Sequence, residues 1–261
     1  MTAGWDPAPL VLAGAALAAC LFARGFIRVR RRGRTDCAGA GRALLFASGT
    51  ALIVLPLVSP LDGAADHRSL SAHMLQHVLI GDAGPAFLVL AVRGPLLAFV
   101  LPAAAIRFVT GRGRLHALLG RFGHPAVAFG VWILAIAGWH VPVAYDGALA
   151  HPLVHDLEHA TFVIAGLLVW WQLIDPGRRM RLSVPARAAL AGVVFFAGQV
   201  LCSVLLLAQS PLYKAYAHPS LTDQQGAALV MGAEQFLTLG TCVALLGASL
   251  LRATPARPRP A

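Results

Sequence analysis

The chain has 261 residues, 58% of them apolar and only 12% charged, with a mean hydropathy of +0.72. A soluble domain carries about 25% charged residues, so a freely soluble globule is excluded, and disorder is excluded because too much apolar surface would stay wet. The formal charge of +10 does not point to nucleic acid, since all basic residues but Lys214 are Arg, most of them between apolar runs, a pattern that reports membrane orientation.

In chain order, the first apolar run covers 8–27 and ends in Arg28, Arg30, Arg31, Arg32 and Arg34. The second covers 42–59 and stops at Ser59-Pro60, a natural breaker. The third, 71–92, is interrupted by His73, His77 and Asp82. Residues 94–108, with two prolines, are too short to span and read as an interfacial or re-entrant piece. The remaining runs are 125–143, 152–174, 186–208 and 224–251, the last opened by a capping box of Thr222 with Gln225. This predicts an all-α polytopic bundle of seven transmembrane helices in one domain, 1–254, followed by a disordered Pro/Arg tail at 255–261.

The loops after spans one, three and five, with the tail, hold 19 Arg; the opposite side holds only Arg68 and Lys214. The positive-inside rule then puts the N-terminus outside and the C-terminus in the cytoplasm. Cys20, Cys37, Cys202 and Cys242 form no CxxC, which suggests neither a disulfide framework nor a thiolate clamp. They read as small buried fillers. Trp139 and Tyr145 read as interface anchors, and Asp82 as a proton-relay group or, in preference, a helix–helix hydrogen-bonding group.

Ten histidines scattered at random would give roughly 0.4 His-x-x-x-His pairs; the chain has three, His73/His77, His151/His155 and His155/His159. Residues four apart share a helix face. Spans three and five would therefore each present two imidazoles near the outer membrane surface, where polar side chains turn to the bundle interior. Pro152 suits a first helical turn and fixes the start of span five one turn before His155. Imidazole suits Cu, Zn, Fe and Ni, and thioethers favour Cu(I). The candidate metal ligands are His73, His77, His155 and His159, with His140 and Met74 as additions, and Asp156 and Glu158 orienting the imidazoles. His67 and His218 read as solvated loop residues.

Several stretches resemble the caa3-type CtaG family of membrane proteins: Ser59-Pro60-Leu61-Asp62, His73-Met74-Leu75-Gln76-His77, Gly94-Pro95, Trp139-His140-Val141-Pro142, Tyr145-Asp146, His151 to His159, and Leu221-Thr222-Asp223-Gln224-Gln225. Their order covers roughly 45–250. The resemblance implies a bacterial plasma-membrane, multi-pass factor for cytochrome c oxidase assembly in the respiratory chain. It also implies copper delivery to the oxidase, whose copper-containing catalytic subunit would be the partner. Gly232 departs from the aromatic residue expected after Met231.

The residues are compatible with three function classes. The first is an assembly or metal-handling factor without catalytic machinery, its cargo copper, with zinc as an alternative. The second is a haem-binding redox protein using the same His pairs. The third is a transporter, which would distribute polar groups through the whole membrane depth; here Asp82 and Glu234 are the only deep acids. No phosphate loop, nucleophile elbow or zinc-protease motif is present, and a membrane di-iron hydroxylase would need His-x-x-His-His boxes that are missing.

Overall fold

A computed structural model describes residues 5, 8–113, 117, 120, 121, 123–177, 182–216 and 218–253. The Pro/Arg tail at 255–261 and His116 lie outside the described residues. Among the described residues every regular element is helical. The helices are α1 (Pro9–Arg31), α2 (Ala40–Val58), α3 (Pro60–His67), α4 (Leu70–Ala91), α5 (Leu97–Val100), α6 (Ala103–Thr110), α7 (Pro125–Trp139), α8 (Pro142–Ala150), α9 (Pro152–Ile174), α10 (Val184–Leu207) and α11 (Leu221–Arg252).

Six of these, α1, α2 with its lead-in, α4, α9, α10 and α11, are long and apolar enough to cross a membrane. The seventh expected span is a bent pair: α7 and α8 meet at 78° across His140 and Val141. Pro142 takes the first position of α8, and the residue before a proline is pushed out of helical geometry, so α7 ends before it. The 94–108 segment is a set of short helices, none of spanning length, as its prolines predict.

Local chemistry starts the helices where the sequence demands. Ser59, Ser69, Ser183 and Ser220 each accept a hydrogen bond from a first-turn N–H, and Pro152 opens α9. The cap of α11 is Ser220, receiving the Asp223 N–H at 3.3 Å, rather than the expected Thr222–Gln225 box. The helix begins at Leu221, so Thr222 is already inside it. Surface and interior are inverted relative to a soluble protein: Leu134, Leu207 and Leu237 are more than 70% exposed, whereas His73, Gln76, Glu158 and Gln224 are buried. The chain is a polytopic membrane protein.

Helices α4 and α9 are held backbone to backbone. A Cβ on Gly166 would lie 2.0 Å from the Gly81 carbonyl oxygen, and one on Gly49 of α2 would lie 2.9 Å from the Leu88 nitrogen of α4. Small residues permit this approach, the main source of attraction between helices in lipid. Helix α4 widens into a π-helical turn at Leu79–Ala83, around Gly81, and α11 does so at Phe236–Gly240. Between these turns, Asp82 accepts from Trp170 Nε1 of α9 at 2.5 Å and from Thr238 Oγ1 of α11 at 2.9 Å. The helix–helix role expected of Asp82 is what these bonds perform.

Cys20 is exposed on α1 rather than buried, while Cys202 is buried; a thiol in a lipid-facing position needs no polar partner. Gly166→Ala is expected to cost at least about 1–3 kcal/mol through overpacking, lowering the thermal unfolding midpoint in detergent by several degrees. Gly192→Ala, whose added carbon meets nothing within 4 Å, should leave the midpoint unchanged in the same assay.

Candidate metal centre

The pocket is built where the first halves of α4 and α9 face each other. His73, His77 and Gly81 recur every four residues along α4, and His155, His159, Phe162 and Gly166 recur at helical spacing along α9. The Gly81–Gly166 contact therefore turns all four imidazoles into one space. One ring nitrogen from each of His73, His77, His155 and His159 lies within 4.8 Å of those of the other three. Ring centroids stand 4.2 Å apart for His73–His77, 4.1 Å for His155–His159 and 5.3 Å for His77–His159. The Phe162 ring, 4.6 Å from His77, closes the pocket on the side toward the glycine contact.

The surroundings select the tautomers. His73 Nδ1 lies 3.4 Å from the Ala65 carbonyl oxygen, which can only accept, so the proton belongs on Nδ1 and Nε2 keeps its lone pair. Ala65 O also accepts from Tyr216 Oη at 2.9 Å, and Tyr216 shares a 2.7 Å hydrogen bond with Tyr145 Oη. Tyr145 is thus buried against His73, with ring centroids 5.1 Å apart, and is not an interface anchor. Its position on α8, beyond the bend, brings it inward. Trp139 donates to Thr161 Oγ1 of α9 at 2.9 Å, a helix–helix bond rather than a headgroup contact.

The Nε2 atoms of His73, His155 and His159, both ring nitrogens of His77, both carboxylate oxygens of Glu158 and Oδ1 of Asp66 are buried without a hydrogen-bond partner among the described residues. Glu158 Oε1 lies 3.7 Å from His77 Nε2, and Asp66 Oδ1 lies 3.7 Å from His155 Nε2. Asp66, on α3 outside the spans, has its carboxyl pushed above the ordinary carboxylate range by burial, with nearby His67 opposing and Asp156 adding to the effect. Neutral imidazoles with convergent lone pairs beside a carboxylate form a donor set for a borderline transition-metal ion.

The other expected residues fall around this set. His140 is buried, its Nδ1 is 2.7 Å from the Ile136 carbonyl, and its Nε2 is unpartnered; it stands against Phe162 at 6.4 Å and is not among the four converging rings. Met74 is fully buried in the apolar cluster with Tyr145, Cys202, Leu205 and Met231. Glu158 is buried at the pocket, whereas Asp156 is exposed. His67, His151 and His218 are exposed.

Sequence reasoning missed Asp66, Tyr213, Tyr216 and Gln76. Gln76 Nε2 donates to the Pro56 carbonyl at 3.1 Å and to Asp62 Oδ1 at 2.6 Å, fixing α4 against α2 and α3. Tyr213 donates to the His140 carbonyl at 3.1 Å. The one usable signal was Asp62 and Asp66, one helical turn apart just ahead of the His73/His77 pair.

Helix bundle and pocket together define a polytopic membrane protein with a buried, convergent histidine centre. A family model described as cytochrome c oxidase caa3 assembly factor (Caa3_CtaG) matches residues 20–253, and the chain belongs to that family. Comparison with curated proteins and with solved structures finds no match. The family ties the chain to cytochrome c oxidase as an assembly factor.

The start of α4 is tied to α11 through Asp223, which accepts from Ser69 Oγ at 2.9 Å, Leu70 N–H at 2.6 Å and Ser71 N–H at 3.2 Å. Asp223→Ala strips these donors of their acceptor. It should destabilise the protein by about 1–3 kcal/mol, seen as a lower unfolding midpoint in detergent, with Asp223→Asn losing less.

Proposed function

We propose that the protein handles copper for cytochrome c oxidase, holding the ion in the His73/His77/His155/His159 pocket and passing it to the copper-containing catalytic subunit. The observation that carries this reading is the convergence of four imidazole nitrogens within 4.8 Å of one another. Their Nε2 lone pairs are buried and unpartnered, a cost that an ion would relieve. Imidazole ligands suit copper and zinc alike; membership of an oxidase assembly family favours copper. Haem fits less well, because a porphyrin between any two of these rings would have to displace the other two.

The protein acts by binding rather than by a chemical conversion, in the bacterial plasma membrane, with lipid around the exposed leucines. Its N-terminus lies outside and its C-terminus in the cytoplasm, which puts the pocket near the outer face, where the 19-to-2 partition of basic residues supports it. The ends of α4 and α9 that carry the pocket would then open toward the compartment from which copper arrives.

Purified protein loaded with copper and washed should retain the ion, and the His77→Ala/His159→Ala double variant should retain at least about tenfold less. Equal copper in two samples of equal unfolding midpoint would remove the reading. For the topology, a phosphatase that is active only outside the cytoplasm should be active when inserted at Lys214 and inactive when fused after Arg252; the reverse pattern would invert the orientation.

A further inference from the structure

Glu158 is the more deeply buried of the two carboxylates that stand beside the pocket's imidazoles. It lies on α9 between His155 and His159, three residues after the first and one before the second, and is only 1% exposed. Both its oxygens lack a hydrogen-bond partner among the described residues. A prospective ligand, His77 Nε2, lies 3.7 Å from its Oε1. A residue that only orients an imidazole would be expected to accept the proton of a ring nitrogen at hydrogen-bonding distance. At 3.7 Å that bond is not made.

The other charges in reach do not satisfy it. Among the described residues no Lys or Arg is paired with Glu158, and its one ion-pair partner is an imidazole of the pocket. Asp66, the second carboxylate, stands at the far edge of the pocket beside His155, and its side chain is 25% exposed. Met74 and Met231, thioethers that would favour a monovalent ion, pack in the apolar cluster around Tyr145. What faces the space is four imidazoles, the buried carboxyl of Glu158 and, at its edge, Oδ1 of Asp66.

We propose that Glu158 is the charge-matching ligand of this pocket, and that it makes the four-histidine site take a divalent cation in preference to a monovalent one. The inference rests on the metal-handling function proposed for the pocket and adds to it the charge of the ion and the residue that selects it. Four neutral imidazoles leave either ion its full charge, and the cost of holding that charge in a membrane-embedded pocket is greater for a divalent ion. A fixed carboxylate attracts the divalent ion about twice as strongly as the monovalent one and so offsets more of that cost. Glu158 is thus a group whose partner arrives with the cargo.

The test uses the full-length protein in detergent, titrated with Cu(II), Zn(II) and, as a redox-inert monovalent probe, Ag(I), each in competition with a chelator. Glu158→Gln keeps the shape and removes the charge. It should weaken Cu(II) and Zn(II) binding about 10–100-fold and Ag(I) binding by only about 3–10-fold, since the attraction scales with the charge of the ion, while Glu158→Asp recovers part of the divalent affinity.

Equal loss for all three ions or unchanged divalent affinity would each overturn the assignment of Glu158. Those outcomes leave the metal reading standing as long as the wild type binds. A wild type that binds none of the three ions overturns both.

Discussion

Helices α4 and α9 touch at glycine: the carbonyl of Gly81 occupies the space where any other residue at position 166 would place its Cβ. Everything in the pocket is registered from that contact. His77 precedes Gly81 by four residues and His159 precedes Gly166 by seven, so both lie on the touching faces one and two turns away. The two helices run parallel, and their first halves therefore meet at the same end of the bundle. In lipid no hydrophobic force presses two apolar helices together, so close backbone approach and polar links must hold them. The Asp82–Trp170 and Asp82–Thr238 bonds supply the links just beyond the glycines.

The π-helical turn at Leu79–Ala83 lies at this contact. A π turn inserts a residue and rotates the later part of the helix relative to the earlier part. In α4 it separates the His73/His77 half, which faces the pocket, from the Gly84–Ala91 half, which packs on α2 through Gly84 and Gly49. One helix thereby serves two partners with two faces that ordinary helical periodicity would not keep in register. The second π turn, at Phe236–Gly240 of α11, carries Thr238 to Asp82.

The spans were legible because their signals are local. Apolar length and the first-turn proline Pro152 located α9 to the residue, and apolar length located the other long helices to within a few positions. The convergence of the histidines was legible for a related reason: the i, i+4 spacing fixes a helix face, and a polar face in a membrane must turn inward. What escaped was set by distant partners. The break between α7 and α8 is caused by Pro142, yet the apolar run through Val143 hides it, and with it the inward swing of Tyr145. Asp66 and Tyr216 join the pocket's surroundings through loops whose paths leave no periodic trace. Ser220 rather than Thr222 caps α11 because the helix starts ahead of its apolar pattern.

The ring of tyrosines explains how so many imidazoles can share a space without collapsing onto one another. The Ala65 carbonyl accepts from Tyr216 and from His73 Nδ1 at once, which ties the orientation of His73 to α3 and to the 208–220 loop as well as to its own helix. Tyr145, held by Tyr216, backs the same ring. His73 is therefore pinned on its Nδ1 side and open on its Nε2 side. His77, with neither nitrogen bonded, is held by packing against Phe162 and the neighbouring imidazoles. A buried polar atom left unpaired costs about 1–3 kcal/mol, and several such atoms together amount to a sizeable share of the roughly 5–15 kcal/mol that typically stabilises a fold. A protein that keeps this arrangement gives up stability in the ion-free state, and the deficit is concentrated at one point of the bundle. On the metal-handling function proposed for the pocket, the histidines with the least internal bonding are those with the most freedom to form and release bonds to an ion, which suits transfer better than permanent storage.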